Sequence, residues 1–382
     1  MRCSYWQAGR CRSCDLADPS YDRQLQAKVG AVTAALAGSV RAEAWLPPAA
    51  SEPIAFRNKA KFCVGGNRGR LTFGLLTPPR YRGVDLTHCP LYPRQLHELA
   101  RHVRTWANTL RLRPYSVRER TGELKYVLIT QSPRGRFLLR LVVRSPRVLG
   151  LLASHLPELM HTAPHPIDVV SANIQPKPAA IVEGPEERIL YGSRLAMDLE
   201  LAPQTLLPLL LPPGAFFQTN TAVASQLYAQ AVEWATLADP ATVMDLYCGV
   251  GGFALALAEA HRTVYGIEVT PSAIEAARAS ARLMEAANVT FDTGDATALA
   301  LHRLTPGSLL VVNPPRRGLT TLVDWIQDAC PDHIIYSSCN PTTLARDLDK
   351  LAGYTARSAR LFDMFPYTLH AEVAVLLERT RT

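Results

Sequence analysis

The stretch Val243-Met-Asp-Leu-Tyr-Cys-Gly-Val-Gly-Gly-Phe253 indicates a buried strand that runs into a glycine-rich loop. A helix is predicted over Ala254–Ala260, and strands and helices alternate from there towards the C-terminus. This order predicts an α/β fold, a Rossmann-like doubly wound domain with a mostly parallel sheet. Ligands of such sheets bind outside the carboxyl ends of the strands. The residues that follow each predicted strand are therefore the candidates for chemistry.

The loop has the pattern Gly-x-Gly-Gly, which is neither the dinucleotide fingerprint nor a Walker loop, because no lysine follows it. Gly249, Gly251 and Gly252 would let the backbone pack closely against a ligand that carries no phosphate. Glu268 ends the next predicted strand, at about the spacing from Asp245 that is expected for an acid that accepts both ribose hydroxyls. Together these features favour S-adenosylmethionine as the ligand.

A second candidate is the thiol in Ile334-Ile-Tyr-Ser-Ser-Cys-Asn-Pro341. The strand is predicted over Ile334–Tyr336, so Cys339 lies just beyond its carboxyl end. A free cysteine is usually a small buried hydrophobe, but the glycine loop ahead of it favours a nucleophile here. Between them lies Asn313-Pro-Pro-Arg-Arg-Gly318, which is either a rigid turn with surface charge or a loop that brings Arg316 to a negatively charged group.

Charge is distributed unevenly along the 382 residues, of which 48% are hydrophobic. Residues 1–200 hold 29 Lys and Arg against 16 Asp and Glu, whereas residues 201–382 hold 12 against 17. The basic half suggests a polyanion such as nucleic acid, although ordinary surface charge would give the same count. No apolar run reaches the roughly 18 residues of a membrane span, and the N-terminus has no apolar signal core. We therefore expect a cytoplasmic protein without a membrane partner.

We predict three regions: an N-terminal metal segment over 1–95, which includes Cys89; a basic β-rich RNA-binding domain over 50–205; and the α/β domain over 206–382. In the basic domain Arg57, Lys59 and Lys61 share one strand face, where they either contact phosphates or face solvent. The run Leu206–Pro213 is taken as a linker. Further predicted elements are helices at 20–45, 92–113 and 222–235, a hairpin at 56–64 and 71–75 with its turn at 65–67, and strands at 123–129, 136–144, 169–176 and 180–183.

The N-terminus carries Cys3, Cys11 and Cys14, and the last two form a Cys-x-x-Cys pair. Such a pair is typical of metal sites, because neighbouring thiolates need a cation to offset their repulsion. Cys89, which precedes a proline, is the best fourth ligand, and Cys63 is expected in a hydrophobic core. From spacing alone, zinc and a [4Fe–4S] cluster are equally favoured.

Five motifs occur in the order found in the RNA uracil-5 methyltransferases, and the chain resembles that superfamily, above all its bacterial 23S ribosomal RNA branch. Short matches run along the whole chain, for example Phe56-Arg-Asn-Lys-Ala-Lys61 and Cys89-Pro-Leu-Tyr-Pro93. The five motifs are Phe216-Phe-Gln-Thr-Asn220, Asp245-Leu-Tyr-Cys-Gly-Val-Gly-Gly-Phe253, Asn313-Pro-Pro-Arg-Arg-Gly318, Tyr336-Ser-Ser-Cys-Asn-Pro341 and Leu361-Phe-Asp-Met-Phe-Pro-Tyr-Thr-Leu-His-Ala-Glu-Val373.

The resemblance implies a role for each matching position. Cys339 would be the nucleophile and Glu372 the general base, although Glu372 alone could equally be a surface acid at a strand end. The implied S-adenosylmethionine ligands are Gln218, Tyr247, Glu268 and Asn313, and the implied [4Fe–4S] ligands are Cys3, Cys11, Cys14 and Cys89. The chemistry agrees, because C5 of uracil is a weak nucleophile until a thiolate adds at C6.

The resemblance also implies the substrate, a uridine at position 747 of 23S ribosomal RNA. A base inside a helix cannot reach a buried thiol, so we expect a single-stranded or flipped-out uridine, and we expect the protein to act as a monomer. Another uridine of 23S or transfer RNA is an alternative substrate. Two other classes stay open: a cytosine-5 methyltransferase, disfavoured because the thiol lies in Ser-Ser-Cys-Asn, and a non-catalytic Fe–S protein that binds RNA.

Overall fold

The computed structural model describes residues 3–77, 82–179, 181–296, 304 and 307–380. The chain divides into two compact units. The N-terminal unit comprises Met1–Ala17, Glu52–Met197 and Pro212–Gly214; the C-terminal unit comprises Asp18–Ser51, Asp198–Leu211 and Ala215–Thr382. This division differs from the predicted one at residues 18–51, because Val32 and Leu36 are buried in the hydrophobic core of the C-terminal unit.

The predicted helices at 20–45 and 92–113 are present but shorter, and the helix predicted at 222–235 is longer at both ends. In the described part of the chain, no helix combines the length and apolar character needed to cross a bilayer. The helices are α1 Ser4–Gln7, α2 Tyr21–Ala35, α3 Arg94–Thr109, α4 Leu149–Thr162, α5 Thr221–Ala238, α6 Gly252–Ala256, α7 Pro271–Leu283, α8 Leu322–Ala329 and α9 Pro341–Lys350, with 3₁₀ turns at Ala42–Ala44 and Pro146–Val148.

The N-terminal unit is built on a mixed seven-stranded sheet in the order β3-β2-β1-β4-β5-β6-β7. All pairs in it are antiparallel except β5 and β6, which are joined through α4. The strands are β1 Lys59–Asn67, β2 Arg70–Thr77, β3 Arg82–Asp85, β4 Leu124–Gln131, β5 Phe137–Val143, β6 Ile167–Ile174 and β7 Glu186–Tyr191.

The C-terminal unit holds a second seven-stranded sheet, in the order β12-β11-β10-β13-β14-β16-β15, and the two-stranded sheet of β8 and β9 lies outside it. The first five strands of that order are parallel, and β16 is antiparallel to both of its neighbours. The strands are β8 Leu195–Ala202, β9 Thr205–Leu211, β10 Thr242–Leu246, β11 Thr263–Glu268, β12 Val289–Thr293, β13 Ser308–Val312, β14 His333–Ser338, β15 Tyr354–Phe362 and β16 Glu372–Arg379.

The doubly wound fold is thereby confirmed, and its topology places the candidate site. Every residue of β13 is buried, as expected for a parallel strand covered on both faces. The strand order reverses between β10 and β13, and a crevice at such a switch point binds ligands at the carboxyl ends. The glycine loop follows β10, and Asn313 follows β13.

Three sequence predictions about strands need correction. The predicted hairpin exists, but residues 65–67 continue β1, and the turn lies at Arg68–Gly69. Residues 181–183 are not a strand, and Ala180 lies outside the described residues. The run taken as a linker is mostly β9, in which Leu207, Leu209 and Leu211 are buried at alternate positions. Its prolines concealed this alternation, although proline is tolerated in strands that keep a free edge.

Candidate active site

The end of β14 and the start of β16 form the centre of the site. These strands are antiparallel neighbours, and Ser338 pairs with Val373 in their register. Cys339 is the residue directly after β14, and Glu372 is the first residue of β16, so the pairing brings them to the same edge of the sheet. The expectation that Cys339 follows a strand end is confirmed.

Glu372 is a buried acid whose environment suits proton transfer. Its side chain accepts a hydrogen bond of 2.5 Å from the Ser337 hydroxyl, and the residue is 2% exposed. Burial raises the pKa of Glu372 to about 7, and the Ser337 hydrogen bond opposes that rise. A carboxylate with a pKa near the working pH is an effective general base. The alternative of a surface acid at a strand end is wrong, because the residue is buried.

The Cys339 thiol is influenced by three features. Burial raises its pKa above the usual value, and the nearby charge of Glu372 adds to the rise. The Arg316 guanidinium opposes both, through its charge and through a hydrogen bond to the thiol. The Arg316 main chain is fixed as well, because its carbonyl accepts hydrogen bonds from Asn340 Nδ2 at 3.1 Å and Thr343 Oγ1 at 3.3 Å. Arg316 is thus positioned to favour the thiolate.

Replacing Arg316 by alanine should move the alkylation of Cys339 to higher pH. The substitution removes a cation that lowers the pKa of this thiol, so less thiolate forms at any given pH. The rate of iodoacetamide labelling at Cys339, followed by peptide mass spectrometry across a pH series, measures the change. Arg317→Ala is the matched control and should leave the curve in place. A curve for Arg316→Ala that coincides with wild type would show that the guanidinium does not act on the thiol.

The glycine loop after β10 is built as a close-fitting cradle. Gly251 has φ +88°, and a Cβ at this position would lie 2.8 Å from the Phe291 ring. Glu268 at the end of β11 fixes the glycine loop, because its Oε2 accepts a hydrogen bond from the Gly249 amide at 3.3 Å. Its Oε1 accepts from the Thr270 amide, just before α7, at 3.0 Å. Oε1 also accepts from the Thr270 hydroxyl at 2.8 Å, so Oε2 is the oxygen that retains a lone pair for a further donor.

Asp245, near the end of β10, is a buried acid whose hydrogen bonding the sequence does not reveal. The residue is fully buried, and its Oδ2 accepts a hydrogen bond of 3.0 Å from the Ala254 amide. Its Oδ1 is buried and has no hydrogen-bond partner among the described residues. Burial raises the pKa of Asp245 to about 8, and the charge of Glu268 adds to the rise. A buried acceptor without a donor from the protein is suited to a donor on a ligand.

The other predicted cofactor residues lie in the same unit. Tyr247 follows β10, is half-buried and has φ +64°, which is rare for a residue other than glycine. Asn313 follows β13 and is half-buried, and Gln218 is 6% exposed just before α5, which begins at the N-cap Asn220. Tyr247, Glu268 and Asn313 therefore end three adjacent strands, whereas Gln218 approaches from a helix start.

A buried polar network holds the segment that leads to Glu372. The Lys28 ammonium donates to Asp363 Oδ1 at 2.6 Å and to the Phe365 carbonyl at 2.8 Å. The Tyr21 hydroxyl donates to Asp363 Oδ2 at 2.9 Å, and Gln24 Oε1 accepts from the Tyr367 amide at 3.0 Å. Tyr21, Gln24 and Lys28 lie on one face of α2 at helical spacing. This face therefore fixes the start of the β15–β16 connection.

Replacing Lys28 by methionine should destabilise the C-terminal unit strongly. The side chains of Lys28 and Asp363 are 2% and 0% exposed, so the variant leaves a buried carboxylate without its cation. Breaking a buried ion pair on one side costs about 3–5 kcal/mol. Urea unfolding of the C-terminal unit measures the free energy. Arg357→Gln, which breaks an exposed pair on β15 with Glu378, is the control and should change stability little. Equal stability of the two variants would contradict the prediction.

The four predicted cluster cysteines all lie in the N-terminal unit. Cys3 and Cys14 are 7% and 9% exposed, and Cys11 and Cys89 are half-buried. Burial, followed by the charges of Cys11 and Cys3, raises the pKa of Cys14 to about 11. Burial also raises the pKa of Cys89 to about 12, and the other three thiols add to it. The four sulfurs therefore lie within electrostatic range of one another.

These thiols do not form a metal-ready arrangement as they stand. Over residues 3–77, 82–179, 181–296, 304 and 307–380, no group of three or more His, Cys, Asp or Glu side chains is placed to hold a metal ion. Cys63 instead packs beside the buried cluster of Tyr126, Leu128 and Val142, as predicted for a core residue.

Comparison with known proteins identifies the family. Residues 210–380 match the family model described as tRNA (Uracil-5-)-methyltransferase. The 23S rRNA (uracil(747)-C(5))-methyltransferase RlmC of Photorhabdus laumondii is 40% identical over 379 residues, which cover 99% of each chain. The chain belongs to the RlmC family. The RlmC protein of Cronobacter sakazakii is likewise 41% identical over 385 residues, covering 99% of this chain and all of that one.

A solved structure supports the fold of this RlmC-family chain. The tRNA (uracil-54, C5)-methyltransferase of Pyrococcus abyssi, crystallised in complex with S-adenosyl-L-homocysteine, superposes with a TM-score of 0.77. The match covers 95% of this chain and 85% of that chain at 23% sequence identity. The α/β methyltransferase fold expected from the sequence is thereby confirmed.

Proposed function

We propose that the chain transfers a methyl group from S-adenosylmethionine to C5 of uridine 747 in 23S ribosomal RNA. The observation that carries the proposal is the strand pairing that brings Cys339, after β14, and the buried acid Glu372, at the start of β16, to one edge of the sheet. The charges of Glu372 and Arg316 both act on the pKa of the Cys339 thiol, in opposite directions. Membership of the RlmC family supplies the substrate, because the relatives are named for that nucleotide. A ribosomal RNA substrate makes the cytoplasm the site of action, and the protein acts as a monomer.

The residues at the strand ends fit S-adenosylmethionine. Glu268 Oε2 offers a lone pair to which a ribose hydroxyl can donate, and Gln218, Tyr247 and Asn313 complete the proposed set. The unpaired Oδ1 of Asp245 supports the same fit, since a buried acceptor of this kind suits an ammonium donor. When bound, S-adenosylmethionine supplies an electrophilic methyl group on a sulfonium.

Cys339 and Glu372 divide the reaction between them. The Cys339 thiolate forms a bond from Sγ to C6 of uracil, and the electron pair of the C5–C6 double bond moves to the C4 carbonyl as an enolate. The enolate carbon C5 then takes the methyl group of S-adenosylmethionine, the methyl–sulfonium bond breaks, and its electron pair leaves on the sulfur of S-adenosylhomocysteine. Glu372 accepts the proton from C5, the double bond re-forms, and the thiolate leaves C6. Arg316 stabilises the thiolate at the start and again when it is released. The uridine must be single-stranded or flipped out to reach the thiol.

Transfer of labelled methyl groups tests the proposed function. Wild-type protein is incubated with labelled S-adenosylmethionine and either unmodified 23S ribosomal RNA or bulk transfer RNA, and the products are digested and mapped. Label in 5-methyluridine at position 747 is the expected result. Label in transfer RNA, or at another 23S uridine, would keep the chemistry and overturn the substrate.

The cysteines of the N-terminal unit carry a second part of the proposal: Cys3, Cys11, Cys14 and Cys89 hold a [4Fe–4S] cluster. The support is the donor set itself. Burial, with a smaller contribution from the neighbouring thiols, raises the pKa values of Cys14 and Cys89, and a bound cation would offset this cost of forming thiolates. Cysteines are the usual ligands of such clusters, and Cys89 precedes a proline. The cluster would fold and stiffen this segment and takes no step in methyl transfer.

Replacing Cys89 by serine should remove the iron. Protein purified without oxygen should contain about four iron and four sulfide per chain, because four thiolates complete a cubane cluster. Cys89→Ser should lose most of both, since three thiolates leave one iron site open. Iron and sulfide analysis measures the loss, with Cys63→Ser as the control that keeps the metal. Zinc in place of iron would identify the site as a zinc site and overturn the cluster.

A further inference from the structure

The predicted row of cations on β1 is poorly suited to grip a polyanion. Lys59 is half-buried, and burial lowers its pKa, with the charges of Arg140 and Lys61 adding to that effect. The Arg57 side chain is half-buried and donates to the Lys59 carbonyl. Lys61 is the one member of this row that is exposed. A larger group of exposed cations lies elsewhere in the N-terminal unit.

Six exposed arginines lie at the opposite end of the same sheet, and we call them the arginine patch: Arg68, Arg70, Arg111, Arg113, Arg118 and Arg120. Arg68 lies in the β1–β2 turn and Arg70 begins β2, and the connection between α3 and β4 carries the other four. Because β1 is antiparallel to β4, the end of β1 lies beside the start of β4. The patch is separated from Lys59 by the length of β1, about 26 Å.

Direct contacts join the two segments of the patch. Arg68 Nε donates to the Arg111 carbonyl at 3.0 Å, and the Leu71 amide donates to Asn108 Oδ1 at 2.9 Å. The Arg113 carbonyl accepts from the Glu123 amide at 3.0 Å, which anchors the connection to the start of β4. The arginines therefore project from a hydrogen-bonded framework of turns and sheet.

The charge of the patch is not neutralised locally. In the part of the chain that the structure describes, none of its six arginines forms an ion pair, whereas Arg104, Arg136, Arg140 and Arg144 of the same unit all pair with carboxylates. The segment from Arg111 to Arg120 contains four arginines and one acid, Glu119. Guanidinium groups bind phosphate oxygens through paired hydrogen bonds, and arginine is the residue of choice for this contact.

We propose that the arginine patch binds the phosphate backbone of the RNA substrate. The proposal rests on the proposed function, because it takes the polyanion to be RNA. Phosphate contacts of this kind fix the orientation of the nucleic acid and carry no sequence information themselves. They contribute to affinity in a salt-dependent way, through release of condensed counterions.

The test uses the full-length protein with Arg70→Gln, Arg113→Gln and Arg118→Gln combined. Arg68 is left intact because it makes a framework hydrogen bond, and Arg111 and Arg120 because they have positive φ. Binding of unmodified 23S ribosomal RNA is measured over a series of KCl concentrations. The dissociation constant should rise at least about tenfold, and the slope of log K against log salt should fall by about two to three. S-adenosylmethionine affinity should stay unchanged.

The control is a second triple variant with the same charge change, Arg94→Gln, Arg101→Gln and Arg134→Gln, on α3 and the β4–β5 turn. It should change the slope much less. If the patch variant binds RNA with the affinity and the salt dependence of wild type, the proposal is overturned. Binding of an acidic protein to the patch would not rescue it. If the patch variant loses RNA binding but wild type does not methylate 23S RNA, the role of the patch in RNA binding is supported and the proposed function is refuted.

Discussion

Replacing Cys339 by alanine should abolish methyl transfer to RNA, with a loss of at least about 1,000-fold, or about 4 kcal/mol in activation free energy. Without the thiolate, no covalent bond forms at C6, and C5 stays too weak a nucleophile to take a methyl group. Binding of S-adenosylmethionine should persist, because its proposed ligands are other residues. Transfer of labelled methyl into 23S ribosomal RNA measures the first effect, and calorimetric titration measures the second.

Cys330 supplies the matched control. It lies in the same unit, just after α8, and its thiol donates to the Gln327 carbonyl at 2.7 Å. Cys330→Ser keeps a donor for that hydrogen bond and should keep full activity. Methyl transfer by Cys339→Ala at a rate near that of wild type would mean that the reaction proceeds without this nucleophile.

Replacing Glu372 by glutamine should stall the reaction after the methyl group has moved. Gln cannot take the C5 proton, so the thiolate cannot leave, and methylated RNA stays attached to the protein. Loss of a general base slows turnover by about 10²–10⁴-fold. The variant should therefore show no multiple turnover. A single round of reaction with labelled S-adenosylmethionine should leave a covalent protein–RNA complex that survives denaturing electrophoresis. Glu378→Gln, at the far end of β16, should turn over normally. If Glu372→Gln loses turnover but no RNA is attached to the protein, Glu372 would act before the methyl group is transferred.

The raised pKa of Glu372 adds a pH dependence to both activity and stability. The base works as a carboxylate, so turnover limited by proton removal should fall as pH drops below about 7. Folding of wild type should lose roughly 3 kcal/mol as pH rises from about 4.5 to 7, because ionisation is disfavoured in the folded state. Glu372→Gln has no ionisable group at this position, so its folding stability should not decrease in this way as pH rises. It should therefore unfold at a higher temperature than wild type at pH 8, and the difference should shrink below pH 4.5.

Local sequence patterns predicted the parts of the site that depend on one strand and its following loop. The change from Ile-Ile-Tyr to small polar residues predicts that Cys339 lies beyond a strand end. β14 ends at Ser338, two residues later than predicted, and Cys339 directly follows it. Glu268 and the glycine loop were found in the same way. Burial of parallel strands makes such apolar runs continuous, and polar residues then mark the carboxyl ends clearly.

Contacts that depend on pairing between distant segments have no signal in the local sequence. The hydrogen bond from Ser337 to Glu372 arises from the register of β14 and β16, which the sequence does not state. Asp245 was used only as a spacing marker, and its unpaired oxygen is visible only in the folded chain. The sequence does carry one signal for Asp245. It is an acid near the end of an otherwise mostly apolar strand, and burying an acid costs free energy unless a partner compensates. The Lys28–Asp363 pair spans the sequence and had no local signal at all.

The most direct test of the account is to locate the covalent bond in the complex formed by Glu372→Gln. The variant is incubated with unmodified 23S ribosomal RNA and labelled S-adenosylmethionine, then digested with nuclease and trypsin, and the attached peptide is sequenced by mass spectrometry. We predict a methylated uridine nucleotide linked to the sulfur of Cys339. A nucleotide linked to any other residue, or a complete absence of linked nucleotide while Cys339→Ala still methylates RNA, would contradict the account.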